Sequence, residues 1–136
     1  MRHIVLDTNC LLACISNNTK FRLVWTAFVN EEFCLCVSNE IVTEYEEILA
    51  RKTSPSFAEM IIHIILNSKN VVFVEPTFRF NLITADPDDN KFVDAAIIAN
   101  ADYIVSQDTH FNILKTIKFP SVNVIRIEEF VKELEK

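Results

Sequence analysis

The 136-residue sequence contains no glycine. Average usage of about 7% would place roughly nine or ten in a chain of this length. Walker phosphate loops, dinucleotide-binding turns and the nucleophile elbow of serine hydrolases all need glycine where the backbone turns sharply or touches a ligand, so all three are excluded. An excess of positive charge is missing too, since 13 Lys and Arg stand against 19 Asp and Glu, for a net charge of −6. Broad binding to duplex nucleic acid by phosphate neutralisation is therefore not the expected activity, although local basic patches remain open. Long apolar runs are absent. The opening stretch reaches Asp7 after only Ile4, Val5 and Leu6, too short for a signal-peptide core. Met60 to Leu66 is interrupted by His63 and falls far below the roughly 18 residues of a membrane span. These absences predict a soluble, cytoplasmic protein with no membrane association. Cys10, Cys14, Cys34 and Cys36 form no Cys-x-x-Cys pair, which favours buried, reduced thiols over disulfides or zinc ligands.

What is present can build a core. Half the residues are apolar, eleven are Phe and the mean hydropathy is +0.21, so one domain spanning residues 1–136 around one hydrophobic core is expected. Five β-rich runs recur, at His3 to Leu6, Phe33 to Val37, Val71 to Glu75, Tyr103 to Ser106 and Val122 to Ile127. Continuous aliphatic stretches such as Ile4-Val5-Leu6 suit strands covered on both faces. Between them lie segments of helical period: Phe21, Val24, Trp25 and Phe28; Ile41, Tyr45, Ile48 and Leu49; Met60, Ile61, Ile64 and Ile65; and Ile127, Phe130, Val131 and Leu134. The expected order is β-α-β-α-α-β-α-β-α-β-α. It describes an α/β fold, an open, mainly parallel five-stranded sheet between two helical layers. Asn17-Asn18, Asn30, Asn67, Asn70 and Asn100 fall where helices should end, as substitutes for the missing glycines.

Chemistry in such a fold gathers at the C-terminal strand edge. Asp7 leaves the first strand and Asp108 the fourth at that edge, and each is also a good helix cap. Two converging like charges need a cation or a proton. Asp94 lies in the apolar helix Phe92 to Ala99, where a lone carboxylate requires a partner or a hydrophilic cavity; Lys91, three residues earlier, offers only a weak helical ion pair. Asp86, before Pro87, reads as a helix cap. Asp88 and Asp89 stay ambiguous, because first-turn acids favour the helix dipole and need no further purpose. Glu44 and Glu46 flank the same apolar stripe, and spacing alone does not separate them.

Asp7-Thr8-Asn9 after an opening strand, Glu44 after Ser38-Asn39-Glu40, Asp94-Ala95-Ala96-Ile97-Ile98-Ala99 and the run Ala101 to Asp108 resemble the PIN-domain family over nearly the whole chain. The segment Asp86 to Phe92 is similar to the VapC-like branch, the toxin components of bacterial toxin–antitoxin pairs. The resemblance implies an α/β/α sandwich that gathers Asp7, Glu44, Asp94 and Asp108 around divalent metal, and ribonuclease activity. It further implies that Asn9 and Ser106 orient the acids or water, and Asp89 is the expected outer contributor. Clustered carboxylates favour hard ions, hence Mg²⁺ or Mn²⁺. The implied partners are an RNA substrate, a cognate antitoxin protein and a second copy in a homodimer. Where many relatives carry glycine, this chain has Asn100 and Gln107.

The competing readings are weaker. A dehalogenase-type phosphatase wants a second Asp where Asn9 stands, and a response-regulator receiver wants an Asp after the third strand, where none follows Val71 to Glu75. A catalytically silent PIN-fold module is the remaining alternative. His3, His63 and His110 read as structural residues, and Trp25 as core.

Overall fold

In the computed structural model, which describes residues 1–16 and 19–136, strand β1 (His3–Leu6) leads into helices α1 (Thr8–Ile15) and α2 (Arg22–Val29). Strand β2 (Cys34–Val37), helices α3 (Asn39–Lys52) and α4 (Pro55–Leu66) and strand β3 (Val71–Phe73) follow. After an extended stretch, a 3-10 turn (Pro87–Asp89) opens helix α5 (Asn90–Ala99), strand β4 (Tyr103–Val105), a 3-10 helix (Thr109–Thr116), strand β5 (Val124–Ile125) and helix α6 (Ile127–Leu134).

The five strands pair in the order β3-β2-β1-β4-β5, every pairing parallel. The chain steps outward from β1 to β2 and β3, then returns across the sheet to place β4 on the free side of β1. With right-handed crossovers, α1 to α4 cover one face and α5 the other. Helix α5 packs on β1, β2 and β4, while α2 meets α6 on the first face. The reversal between β1 and β4 opens a crevice at their C-terminal ends. There Leu6 pairs with Val105, and the Asp7 amide donates to the Val105 carbonyl at 3.2 Å.

The core follows the expected stripes. Ile4, Val5, Leu6, Ile104 and Val105 are buried in the central strands, and Trp25, Phe28, Phe33 and Phe130 form a tilted and edge-on aromatic chain linking α2, β2 and α6. Fully burying such side chains contributes about 1.5–3 kcal/mol each before entropy is counted. Among the described residues no helix is long and apolar enough to cross a membrane.

Three expectations need correction. The first crossover holds two helices rather than one, because Asp7 caps a short helix whose buried face is Cys10, Leu11, Cys14 and Ile15. The connection from β4 to β5 is a 3-10 helix rather than an α-helix, and the third and fifth strands are shorter than their apolar runs. Asparagine stands in for glycine only in part. Asn100 closes α5 in the left-handed region (φ 51°, ψ 49°), and Asn81 also has positive φ, but Asn30 and Asn67 end helices with negative φ. After α2 the left-handed residue is Glu31, at φ 60°. Asn70 serves otherwise: its buried amide donates to the Phe28 and Phe33 carbonyls at 2.9 and 2.8 Å, tying α2 to the start of β2. Asn17-Asn18 lies outside the described residues.

The left-handed turn at Asn100 sets a testable balance. Asn100→Gly should leave the midpoint of urea unfolding equal or higher, whereas Asn100→Val should lower stability by roughly 1–2 kcal/mol, since a β-branched residue is penalised at positive φ.

Candidate active site

Asp7 is fixed from two sides. Its Oδ1 accepts the Cys10 amide at 2.8 Å as the cap of α1, and its Oδ2 accepts the Ser106 hydroxyl. The same Ser106 oxygen accepts the Asp108 amide at 2.9 Å, so one serine after β4 joins the acids that leave the two central strands. Burial raises the Asp7 pKa, the Ser106 and Cys10 bonds oppose the rise, and the Asp108 charge adds to it.

Asp108 caps the 3-10 helix by accepting the His110 amide at 2.8 Å. The His110 ring turns back among the acids, with Nδ1 3.2 Å from Asp108, 3.3 Å from Asp89 and 3.9 Å from Asp86. Asp89, at the N-terminal end of α5, has its pKa pushed up to about 6, chiefly by burial and then by the Asp108 and Asp86 charges, with His110 opposing. Asp86 accepts the Asp88 amide at 3.2 Å, as its reading as a cap predicts.

Glu44 enters from α3. Its Oε1 accepts from Lys91 Nζ at 2.6 Å and its Oε2 from the Thr8 hydroxyl, beside Asp7. Glu46 is exposed, so the tertiary structure separates two residues that spacing does not. The Tyr45 hydroxyl donates to the Leu6 carbonyl at 2.6 Å and pins α3 to the end of β1.

Asp94 is placed differently from the expectation. It is 1% exposed, its Oδ1 accepts the Phe80 amide at 3.2 Å, and its Oδ2 is buried with no hydrogen-bond partner. Burial raises its pKa, the Phe80 amide and the Arg79 charge oppose the rise, and the Glu40 charge adds to it. One turn earlier, Asn90 accepts the Ile83 amide at 2.9 Å and donates to the Ile83 carbonyl at 2.8 Å. Together Asn90 and Asp94 hold the extended stretch around 80–83 against α5. The Lys91–Asp94 ion pair does not form, because Lys91 serves Glu44. Asn9 is exposed in the first turn of α1, and it is the neighbouring Thr8 that reaches an acid.

The site thus joins Asp7, Ser106, Asp108 and Asp89, with Glu44 and Lys91 alongside and Asp86 and His110 at the outer edge. His110 follows Asp108 closely enough in sequence to approach the site, although a structural role is the favoured sequence reading; in the structure its ring stands among the acids. Gln107 accounts for one of the absent glycines: its side chain donates to Glu128 at 2.9 and 3.0 Å and accepts the Ile127 amide at 3.1 Å, tying the loop to α6. The cysteines are free thiols, with burial pushing Cys14 and Cys36 up to about 12, which makes them inert. The acids fit a hard divalent cation. Ligand atoms of Asp86, Asp89 and His110 lie within 4.8 Å of one another, with Asp108 beside them, and the burial and like charge that raise Asp89 are what such an ion would relieve.

Asp89 dictates a pH response of the metal-free protein. The folded state holds this proton more tightly than the unfolded chain, whose ordinary value is 3.8, so the stabilising contribution is complete below about pH 4 and lost as pH rises through about 6. Melting temperatures in EDTA should fall across that window in wild type and fall less steeply in Asp89→Asn, where the raised Asp7 and Asp94 still contribute. Added Mn²⁺ should restore wild type above pH 6 by binding linkage.

Several solved structures share this fold. The VapBC2 structure of Rickettsia felis, bound to a promoter DNA fragment, superposes with a TM-score of 0.64 at 14% identity, covering 91% of this chain and 98% of that one. VapBC of Salmonella typhimurium, also DNA-bound, gives 0.64 at 15% identity over 93% and 99%. VapC20 of Mycobacterium tuberculosis, a Sarcin-Ricin loop cleaving toxin, gives 0.58 at 14% identity over 80% and 92%. No curated protein matches the sequence. The PIN domain family model matches residues 3–110, from β1 through His110, and so takes in every acid of the site. The chain belongs to the PIN-domain family.

Proposed function

We infer that the protein is a metal-dependent endoribonuclease and the toxin of a toxin–antitoxin pair. The observation that carries this reading is that Ser106 joins Asp7 to Asp108 at the crevice between β1 and β4, with the His110 ring drawing Asp89 and Asp86 to the same edge. Family membership supports nuclease chemistry, and the likeness to a Sarcin-Ricin loop cleaving toxin supports RNA over DNA.

In this reading Asp7, Asp89 and Asp108 hold Mg²⁺ or Mn²⁺, and Glu44 completes the acidic set. A bound ion would supply an activated water and charge stabilisation at the leaving oxygen of an in-line displacement, giving 5′-phosphate and 3′-hydroxyl ends. The rest falls to the protein. Ser106 fixes Asp7 and Asp108 relative to each other, so their oxygens need no reordering when substrate arrives. Lys91 balances Glu44, which limits the repulsion that incoming phosphate meets. Asp94 is a positioning residue: with Asn90 it anchors the stretch that leads into Asp86 and Asp89.

Purified protein should cleave single-stranded RNA in Mn²⁺ or Mg²⁺ and stop in EDTA. Asp7→Asn, Asp89→Asn and Asp108→Asn should each lose at least about a hundredfold in rate, the scale of removing a transition-state electrostatic contact. Cleavage that persists in EDTA, or in Asp7→Asn at the wild-type rate, would return the chain to a silent RNA- or protein-binding module.

Asp94 and Asp89 should separate cleanly. Asp94→Ala strips the Phe80 amide of its acceptor and should cost about 1–3 kcal/mol of stability while the Mn²⁺-induced rise in melting temperature persists. Asp89→Asn should keep its stability in EDTA and lose much of that rise.

We propose an antitoxin as the cytoplasmic partner, supported by the likeness to VapBC assemblies, with homodimerisation through exposed apolar residues such as Phe78 and Phe119. Expressed with its neighbouring genes, the protein should co-purify with a small partner and inhibit growth when made alone. A harmless monomer without such a partner would remove the toxin assignment and leave the nuclease assignment standing.

A further inference from the structure

Two clefts open beside the acidic centre, and their charge differs. The larger, about 570 Å³, lies along α3 and is lined by Glu40, Glu44, Glu47 and Asp88 together with Arg51 and Lys91. Both of its cations are already engaged, Arg51 with Glu47 at 2.9 Å and Lys91 with Glu44 at 2.6 Å. A polyanion would meet a surplus of carboxylate there. The smaller, about 210 Å³, lies over the ends of β4 and β5 and shares Ser106 and Asp108 with the acidic centre. Lys115 and Arg126 line it, with the neutral side chains of Thr109 and Asn112.

The cations of this second cleft are available. Lys115 forms no salt bridge among the described residues, and Arg126 has only a loose contact with Glu128 at 3.7 Å. Thr109 and Asn112 are exposed, and their side chains make no hydrogen bond among the described residues. Glu129, which also lines the cleft, is the one feature that opposes an anion besides Asp108 itself.

We propose that this cleft is a subsite for the backbone of single-stranded RNA. Resting on the ribonuclease reading, it assigns Lys115 and Arg126 to the phosphate next to the one being cut over Asp108. Thr109 and Asn112 offer hydrogen bonds of the kind a ribose hydroxyl accepts and donates. The strand therefore leaves the centre along β4 and β5, and the acid-rich cleft of α3 stays clear of it. Phosphate contacts of this type position the strand without reading its sequence.

The test pairs binding with cleavage of one labelled, mixed-sequence single-stranded RNA. Anisotropy titrations in Mn²⁺ use the Asp7→Asn background so that the strand stays whole, and steady-state cleavage uses the otherwise native chain. Lys115→Ala/Arg126→Ala should weaken binding about tenfold and reduce the salt slope of log K by about 0.7, the value for one single-strand phosphate contact. In cleavage it should raise KM with kcat within about threefold of the parent. Glu129→Gln should move affinity the other way, and Arg51→Ala should change neither reading. Equal affinity and KM in the Lys115/Arg126 variant, or a larger loss in Arg51→Ala, overturns the subsite. If the native chain cleaves no RNA with either ion, the ribonuclease reading fails, and the anisotropy arm alone decides the subsite.

Discussion

Like-charge repulsion at the edge where β1 and β4 end is the constraint around which this molecule is arranged. Two unit charges 4 Å apart repel by about 4 kcal/mol at an effective dielectric of 20, and several carboxylates meet here. Each acid has a donor of its own: the Cys10 amide and Ser106 hydroxyl for Asp7, the His110 amide for Asp108, the His110 ring for Asp89. Two of these four bonds are also helix caps. Asp7 caps α1, Asp108 caps the 3-10 helix, and Asp89 sits at the N-terminal end of α5, so three positive helix ends face one spot. That arrangement holds the acids together before any cation arrives, and it also favours the approach of a phosphate.

The rest of the framework exists to bring those helix ends into register. Tyr45 fastens α3 to the carbonyl of Leu6, which sets Glu44 beside Thr8. The stretch from residue 74 to 86 has no ladder of its own, so its backbone amides at Phe80 and Ile83 are satisfied by Asp94 and Asn90 from α5. Without that lacing Asp86 would have no defined place near His110. Among the described residues, this glycine-free chain makes its left-handed turns with Asn81, Asn100 and Glu31. The two asparagines tolerate that region well, whereas Glu31 is a less accommodating choice at an exposed turn.

Much of this was legible in the chain. Continuous aliphatic runs marked buried parallel strands, and the acids directly after Leu6 and two residues after Ser106 were visible as edge residues before any coordinates, because a strand's end is a local feature. The burial argument also identified Asp94 as a carboxylate in need of a partner. It left that partner open, because the donor is the Phe80 amide in a segment without periodic signal. Asp89, ambiguous from its first-turn position and expected only as an outer contributor, feels the Asp108 charge because the sheet reverses direction between β1 and β4. Glu44 and Glu46 differ by two positions on a helix whose rotation is set by the Tyr45 bond.

The sequence by itself determined the layers, the strand directions and the two acids that close the central strands, since strand periodicity and helix capping are read within a few residues. It also ruled out every site that needs a glycine turn. Tertiary structure decided which further acids join those two, where His110 turns, and which cleft beside them keeps free cations. Those outcomes depend on contacts between residues 20 to 100 positions apart, such as Ser106 with Asp7, Lys91 with Glu44 and His110 with Asp89. No local pattern encodes them. They arise when β4 docks beside β1 and carries the ends of α5 and the 3-10 helix to the same edge.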